Sequence, residues 1–476
     1  MNNLNLVTAI ALLLWPLVAL WLYDTRPLAQ ATLWTILGGY LLLPVGAVIK
    51  IGPVPGLDKN SVPALAALLG CWLYTRKPLQ LWQGFGLPEL LMAALIISLF
   101  TGSLLNGDTL VFGSLVLPGV GLYDGGSAVI AQMVTLIPFL LGRRVLRNGA
   151  DAEEILRVLI IAGLIYSLPM LFEIRMSPQL HKWIYGYLRS GFYNEMRDGG
   201  FRPIVFLGNG LLVSFFTLTT VVAAATFWRT GTAATRGTRR WPAPTITIYL
   251  SILLALCKTL SDLIYGVVLV PLVRFATPKL QMKVALALVT LALVYPTLRI
   301  AGVVPTVLAV ELANSVSPER AASLKTRFDN EDMLLARASQ RFWFGWGRFG
   351  RSRVYDPTGK DVSLTDGMWI ITMGQFGFIG FVTLFGLLVY PVFRAVSAFK
   401  YARSSSAKSF LAAVSLILAI NIFDLLPNSP LTPWTWLLAG ALLGQAEALR
   451  ALARQERVLW TSSLAPGSRA APADGT

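Results

Sequence analysis

Apolar runs long enough to cross a bilayer recur along this chain from end to end, and the polar stretches between them are mostly short. A helix needs roughly 20 apolar residues to span the hydrocarbon core, fewer where neighbours cover its ends. Candidate spans begin near residues 4, 31, 61, 88, 127, 155, 204, 244, 261, 283, 368, 410 and 432. Several contain Pro or Gly, which membrane helices tolerate when neighbours re-satisfy the backbone. Composition agrees: 13% of the residues are charged, 55% are hydrophobic and mean hydropathy is +0.64, whereas soluble domains carry about 25% charged residues. The expected fold is an all-α polytopic membrane protein, a bundle of about 12–14 transmembrane helices with two large helical loops on one face. A single transmembrane domain is expected over residues 1–458. The remainder, 459–476, is rich in Ala, Ser, Pro and Gly and is expected to be disordered.

The net charge is +16. In a soluble chain this would point to nucleic acid, but the composition excludes that partner, and positive loops on one side of a membrane account for it. Arg143, Arg144 and Arg147 mark one short connection, and Arg229, Arg236, Arg239 and Arg240 a second. Arg394, Lys400, Arg403 and Lys408 mark a third, and Arg450, Arg454 and Arg457 follow the last span. With alternating spans these all fall on one side, expected to be cytoplasmic, in an inner membrane. The first apolar stretch has no charged leader and reads as a span and not as a signal peptide. Cys71 and Cys257 both lie in apolar segments and His181 is the only histidine, so no disulfide, metal site or cofactor is expected.

The opposite, periplasmic side then carries two long excursions, roughly 173–203 and 305–367. Long loops cross regardless of charge, and the second is almost neutral, with nine basic and eight acidic residues. What stands out is the concentration of arginine. In the first excursion Leu180, Trp183, Ile184, Tyr187 and Leu188 follow helical spacing, predicting an interfacial helix that buries that face. His181 on it is expected to be structural. Arg202 stands at the mouth of the following span, and Gly208-Asn209-Gly210 puts a flexible polar notch inside the apolar run. In the second excursion Ser317-Pro318-Glu319 predicts a helix start, and a second helix is expected from Asp329 or Asn330. Arg327 precedes it, and Arg337 and Arg341 share one of its faces. An aromatic, glycine-rich turn, Phe342 to Gly347, follows, and Asp366 closes the loop. Inside the membrane, Lys258 and Asp262 are four residues apart and are expected to pair.

These features resemble the O-antigen ligase and polymerase superfamily of bacterial membrane proteins. Arg202 through Gly208-Asn209-Gly210 resembles the family's arginine before a Gly/Asn notch, and Arg197 with Gly208 fits an arginine–ten residues–glycine spacing. Lys258-Thr259 resembles a Lys-Ser/Thr at a helix end, and Ser323-Leu324-Lys325-Thr326-Arg327 is similar to a Ser-Leu-x-x-Arg element. Phe344-Gly345-Trp346-Gly347 looks like the Phe-Gly-x-Gly that follows it. Ligases of the family carry a histidine where this chain has Thr365-Asp366-Gly367, which favours a polymerase.

The resemblance implies a glycosyltransferase that moves saccharide from polyprenyl diphosphate to a sugar hydroxyl at the outer leaflet, polymerising exopolysaccharide or O-antigen repeat units. Its partners would be the lipid-linked saccharide, a saccharide acceptor, the bilayer and other polysaccharide-assembly proteins. No Asp-x-Asp triplet for a metal is present, and arginine forks are the available means of holding a departing diphosphate. The expected catalytic residues are Arg202, Arg327 and Asp366, the last as base for the acceptor hydroxyl. Arg197, Gly208, Lys258, Arg337 and Arg341 are expected to bind substrate. Alternatives are an O-antigen ligase acting on lipid A–core, a lipid-linked oligosaccharide flippase and a non-catalytic scaffold. A flippase should line its spans with charge and show two related halves, and neither is visible.

Overall fold

The computed structural model describes residues 2–50, 55–75, 84–188, 195–197, 199–234 and 241–463. Within them the chain is an all-α, multi-pass membrane protein. Its apolar helices are α1 (Leu6–Thr25), α2 (Leu28–Leu42), α3 (Ser61–Tyr74), α4 (Leu87–Leu104), α5 (Leu122–Val145) and α6 (Gly149–Met176). After a short α7 (Leu180–Tyr185) come α8 (Gly210–Thr230), α9 (Ala243–Leu256), α10 (Leu260–Phe275) and α11 (Pro278–Ile300). Two extramembrane helices, α12 (Thr306–Val316) and α13 (Pro318–Ser339), precede α14 (Met368–Ala398), α15 (Ser405–Asp424) and α16 (Pro433–Ser463). Every expected span therefore has its helix. Eight are long and apolar enough to cross a membrane, and α2, α3 and α9 are shorter apolar helices. The last helix runs on to Ser463, past the expected end at 458; residues 464–476 of the expected tail lie outside the described residues.

Close backbone approach, and not an apolar driving force, must hold such helices together, because lipid is as apolar as they are. The α5–α16 crossing shows it: a Cβ on Gly440 would overlap the Phe139 carbonyl, and one on Gly444 the Arg143 carbonyl. Arg143 is buried at that crossing between Glu89 of α4 (2.6 Å) and Glu447 of α16 (2.7 Å). Arg229 at the end of α8 donates to the Val273 carbonyl (3.2 Å) and to that of Ala276, capping α10. Arg450 bonds Ser397, and Arg403 pairs with Glu456. The arginine-rich connections thus share one end of the bundle.

At the other end gather both long excursions and a two-stranded hairpin, β1 (Leu110–Phe112) with β2 (Leu115–Leu117). Here α14 is broken. Gly377 has φ +68° and ψ −169°, in the middle of an otherwise helical run. The Phe342–Gly347 turn fills the break: Trp346 and Gly347 N–H donate to the Gly374 and Gln375 carbonyls (2.8 and 2.9 Å), and Phe378 N–H donates to the Phe342 carbonyl (2.7 Å). Backbone freed inside a membrane helix must find such partners. The aromatic, glycine-rich motif supplies them.

Two local expectations are corrected. The helix expected over residues 180–188 stops at Gly186, in a left-handed cap; His181 and Tyr185 turn into the protein, while Trp183 and Ile184 of the expected interfacial face stay exposed. The Tyr185 and Tyr187 hydroxyls donate to the Leu42 and Val45 carbonyls (2.7 and 2.8 Å) and anchor the end of this short helix to the bundle. In the second excursion, one continuous helix replaces the two expected. Asn330 does not cap a new helix but donates to the Thr326 carbonyl one turn back (2.7 Å).

Candidate functional site

The span expected from residue 204 does not begin there. Residues 203–209 are unwound, with Val205 and Gly208 at φ +44° and +76°, and α8 starts only at Gly210. Unwound backbone at this depth survives only if its polar groups are satisfied. One carboxyl oxygen of fully buried Glu173 accepts from the Ile204 and Val205 N–H groups (2.8 and 2.7 Å), and the other accepts from Leu180 N–H (3.0 Å). The Tyr166 hydroxyl accepts from Phe206 N–H (3.1 Å). Lys59, also buried, donates to the Phe206 carbonyl (2.6 Å) and lies over the Tyr40 ring (5.3 Å). Burial pushes its ammonium down to about 7, against a smaller opposing pull from Asp58. Three side chains from distant parts of the sequence therefore clamp this segment. They aim Asn209, which caps α8 through Leu211 N–H (2.8 Å), into a cavity.

That cavity, of about 180 Å³, is polar: Asn209, Arg327, Asp366, Asn421, Asp424 and Asn428 are among its lining residues. On its other side lies an apolar cavity of about 270 Å³ between α11, α13, α14 and α15, lined by Leu291, Leu324, Leu334, Ile370, Phe423 and others. Arg327 and Asp366 line both. Their placement is built from neighbours. Arg299 of α11 pairs with Glu331 (3.1 Å) and Asp332 (2.9 Å), pinning α13 one turn beyond Arg327. The Asn330 side-chain oxygen accepts from Leu364 N–H (2.9 Å), tying the 364–366 segment to α13. Met368 N–H donates to the Leu425 and Asn428 carbonyls (2.9 and 3.0 Å), fixing the start of α14 against the α15–α16 connection. Among the described residues Arg327 makes no hydrogen bond and no ion pair within 4 Å; it sits in the field of Asp424.

Arg202 is near but does not line the cavity. Its side chain packs on Gly210, where a Cβ would overlap it, and pairs with Glu195 (4.0 Å). It also interacts electrostatically with Asp262, which in turn interacts with Asp424. Charge therefore runs Arg202, Asp262, Asp424, Arg327 along one end of the bundle. Lys258 joins this group: its ammonium lies 2.5 Å from where a Cβ on Gly200 would stand. Lys258 has φ +52° and breaks the chain between α9 and α10, so the expected four-residue helical register with Asp262 does not exist. Asp262 faces Ser214 and Arg202 instead.

Arg337 and Arg341 are not brought to this cavity. Only Arg337 is on α13, in its last turn; Arg341 lies two residues past the helix end at Ser339, so the expected shared helix face is not formed, and both stack on Trp346 instead, with guanidinium centres 3.3 and 4.2 Å from a ring centroid. Arg341 also pairs with Asp108 (2.7 Å), as does fully buried Arg351 (3.0 Å). Burial and the flanking Arg341 and Arg351 charges push Arg337 down to about 10. At Asp108, burial raises the carboxyl, but the Arg341 bond and the two guanidinium charges outweigh it and hold it low. The Arg197 side chain lies outside the described residues.

Sequence reasoning missed Glu173, Lys59 and Asp424. Two of them carried a signal, since an ionisable residue within an apolar run marks function or a buried partner. The chain matches no protein-family model, and the search of curated proteins found no match either.

Proposed function

We propose that the chain is a membrane glycosyltransferase that moves saccharide units from polyprenyl diphosphate to a sugar hydroxyl, polymerising repeat units at the loop-rich, periplasmic face of the inner membrane. The observation that carries this reading is the uncommitted Arg327, beside Asp366, on the boundary between a polar and an apolar cavity. A lipid diphosphate has the same two-sided chemistry. Its prenyl chain suits the apolar cavity, its sugar suits the asparagine-rich one, and its diphosphate belongs at the junction. There a planar guanidinium fork pairs with phosphate oxygens. As the glycosidic C–O bond breaks, negative charge grows on the diphosphate, and preorganised charge at a developing anion is usually the largest catalytic term. Arg202 acts from the second row, through the Asp262–Asp424 pair. Asp366 takes the proton of the acceptor hydroxyl.

The test is turnover by purified protein in bilayer nanodiscs supplied with a polyprenyl-diphosphate repeat unit. A ladder of lengthening lipid-linked products is expected. Arg327→Lys keeps the charge, loses the fork and should cost at least tenfold in rate; Asp366→Asn should abolish turnover while donor binding persists. Transfer confined to lipid A–core would replace polymerase by ligase. Unchanged product length with the lipid moved across the bilayer would replace both by a flippase.

A further inference from the structure

The connection between α15 and α16 divides two spaces. Pro430, Thr432 and Trp434 line the polar cavity described above, whereas Leu431, Pro433 and Trp436 line another behind it. This second space, of about 290 Å³, lies between α3 and α5 at the same end of the bundle. Its size is at the small end of ligand cavities, roughly 300–1,000 Å³.

One charged donor on its wall has no acceptor. The Arg348 side chain makes no hydrogen bond and no ion pair within 4 Å among the described residues. Burial lowers its guanidinium, and the charge of Asp124 only partly offsets this. The position of Arg348 is fixed, because Gly347 before it is bonded into the α14 break. Arg348 is partly buried, so its guanidinium is only in part withdrawn from water, and a bound anion would find it accessible and uncommitted. The one carboxylate on the wall, Asp58, is engaged by Asn60 N–H (3.0 Å), Ser61 N–H (2.8 Å) and the Ser61 hydroxyl (2.9 Å). The remaining wall is mixed: Leu65, Ile130, Ala131 and Val134 make an apolar strip beside Asn60, Ser61 and Thr135. Ile130 is 44% exposed on the outer face of α5, which in a membrane helix is the face toward lipid.

We propose that this cavity is a second site, binding the phosphate group of a membrane lipid against Arg348 while the lipid's chains lie along α3 and α5. The site requires only that the bundle sits in a membrane, and is independent of the glycosyl-transfer reading.

The experiment measures binding of dioleoyl phosphatidic acid to the purified full-length protein in detergent, by native mass spectrometry and by thermal shift. Inorganic phosphate and dioleoylglycerol serve as the two half-ligands. Phosphatidic acid should bind and stabilise; Arg348→Gln should weaken it at least tenfold, as expected for loss of a charge-assisted bond. Ala131→Phe, which fills the cavity and keeps the arginine, should do the same. Arg327→Gln should leave this binding intact, which separates the site from the proposed catalytic one. Equal binding by Arg348→Gln, or loss on Arg327→Gln alone, overturns the proposal. So does equal stabilisation by inorganic phosphate, which would make the ligand a free anion, or by dioleoylglycerol, which would make the arginine irrelevant. Unfolding of each variant without lipid checks folding, and Arg348→Lys replaces Arg348→Gln if the latter fails it.

Discussion

Glu173 offers the sharpest test of how the site is held. Its carboxyl group accepts three backbone N–H bonds, at 2.7, 2.8 and 3.0 Å, in a position with no exposure. Glu173→Ala orphans all three amides. At about 1–3 kcal/mol for each buried unsatisfied group, the ceiling is roughly 3–9 kcal/mol, lowered by whatever water enters the space. Two of those amides, Ile204 and Val205, belong to the clamped segment, so its opening should become easier by about 2–6 kcal/mol. Since 1.4 kcal/mol is a factor of ten, that predicts exchange of these amides faster by about 30-fold to 10⁴-fold. Glu173→Gln behaves differently. Its side-chain oxygen can keep the Ile204 and Val205 bonds, but its NH₂ then meets the Leu180 N–H, donor against donor. Hydrogen–deuterium exchange of the full chain in nanodiscs should show 204–205 protected in Gln and unprotected in Ala, with Leu180 faster in both. If the Ala variant exchanges at 204–206 within threefold of the parent, the clamp is not what holds the segment.

Other expectations follow from the same geometry. With its ammonium pushed down to about 7 by burial, Lys59 is protonated in both folded and unfolded chains below that pH, where the burial penalty is fully present. Between about 7 and the free lysine value near 10.4, the unfolded chain binds the extra proton, so stability rises with pH. Thermal unfolding from pH 7 to 10 should show this rise, and Lys59→Met should flatten it. Gly377→Ala would set a Cβ against the Trp343 carbonyl at a φ of +68°; loss of monodisperse protein on size-exclusion chromatography is expected, where a neutral result would mean that the helix break is dispensable. Arg202→Lys keeps the charge facing Asp262 but not the fork, so turnover should fall less than for Arg327→Lys. A larger loss than at Arg327 would exchange their roles.

The spans were legible because hydropathy is a property of each segment alone. Each of the thirteen expected spans has a helix, although the one expected from residue 204 begins only at Gly210, and α13 starts at Pro318 as expected, without a side-chain bond from Ser317. The errors fall where partners far away in sequence decide. The notch at Gly208-Asn209-Gly210 announced irregular backbone, but unwinding all of 203–209 depends on Glu173, Tyr166 and Lys59. Aromatic spacing suggested a helix to 188, but Gly186 ends α7, and the Tyr185 bond to the distant Leu42 carbonyl anchors it there. The hairpin at 110–117 was overlooked although a Gly113-Ser114 turn between two short apolar runs is a recognised signal.

The arginines show the same division at the level of chemistry. Their abundance at one end was visible in sequence, yet abundance does not say which guanidinium is available. Arg299 is used to fix α13, Arg351 and Arg341 to hold Asp108, and Arg337 to stack on Trp346. An arginine already bonded to a carboxylate must break that bond before it can take a phosphate, and a desolvated pair is costly to break. Functional candidates are therefore guanidiniums that make no hydrogen bond or ion pair among the described residues, and on cavity walls at the loop-rich end those are Arg327 and Arg348. Both owe their freedom to restraint elsewhere: Arg327 to the Arg299 pairs one turn along its helix, and Arg348 to the backbone bonds of Gly347. An arginine-rich loop can thus present only a few reactive positions, because most of its charge is needed to hold the few in place.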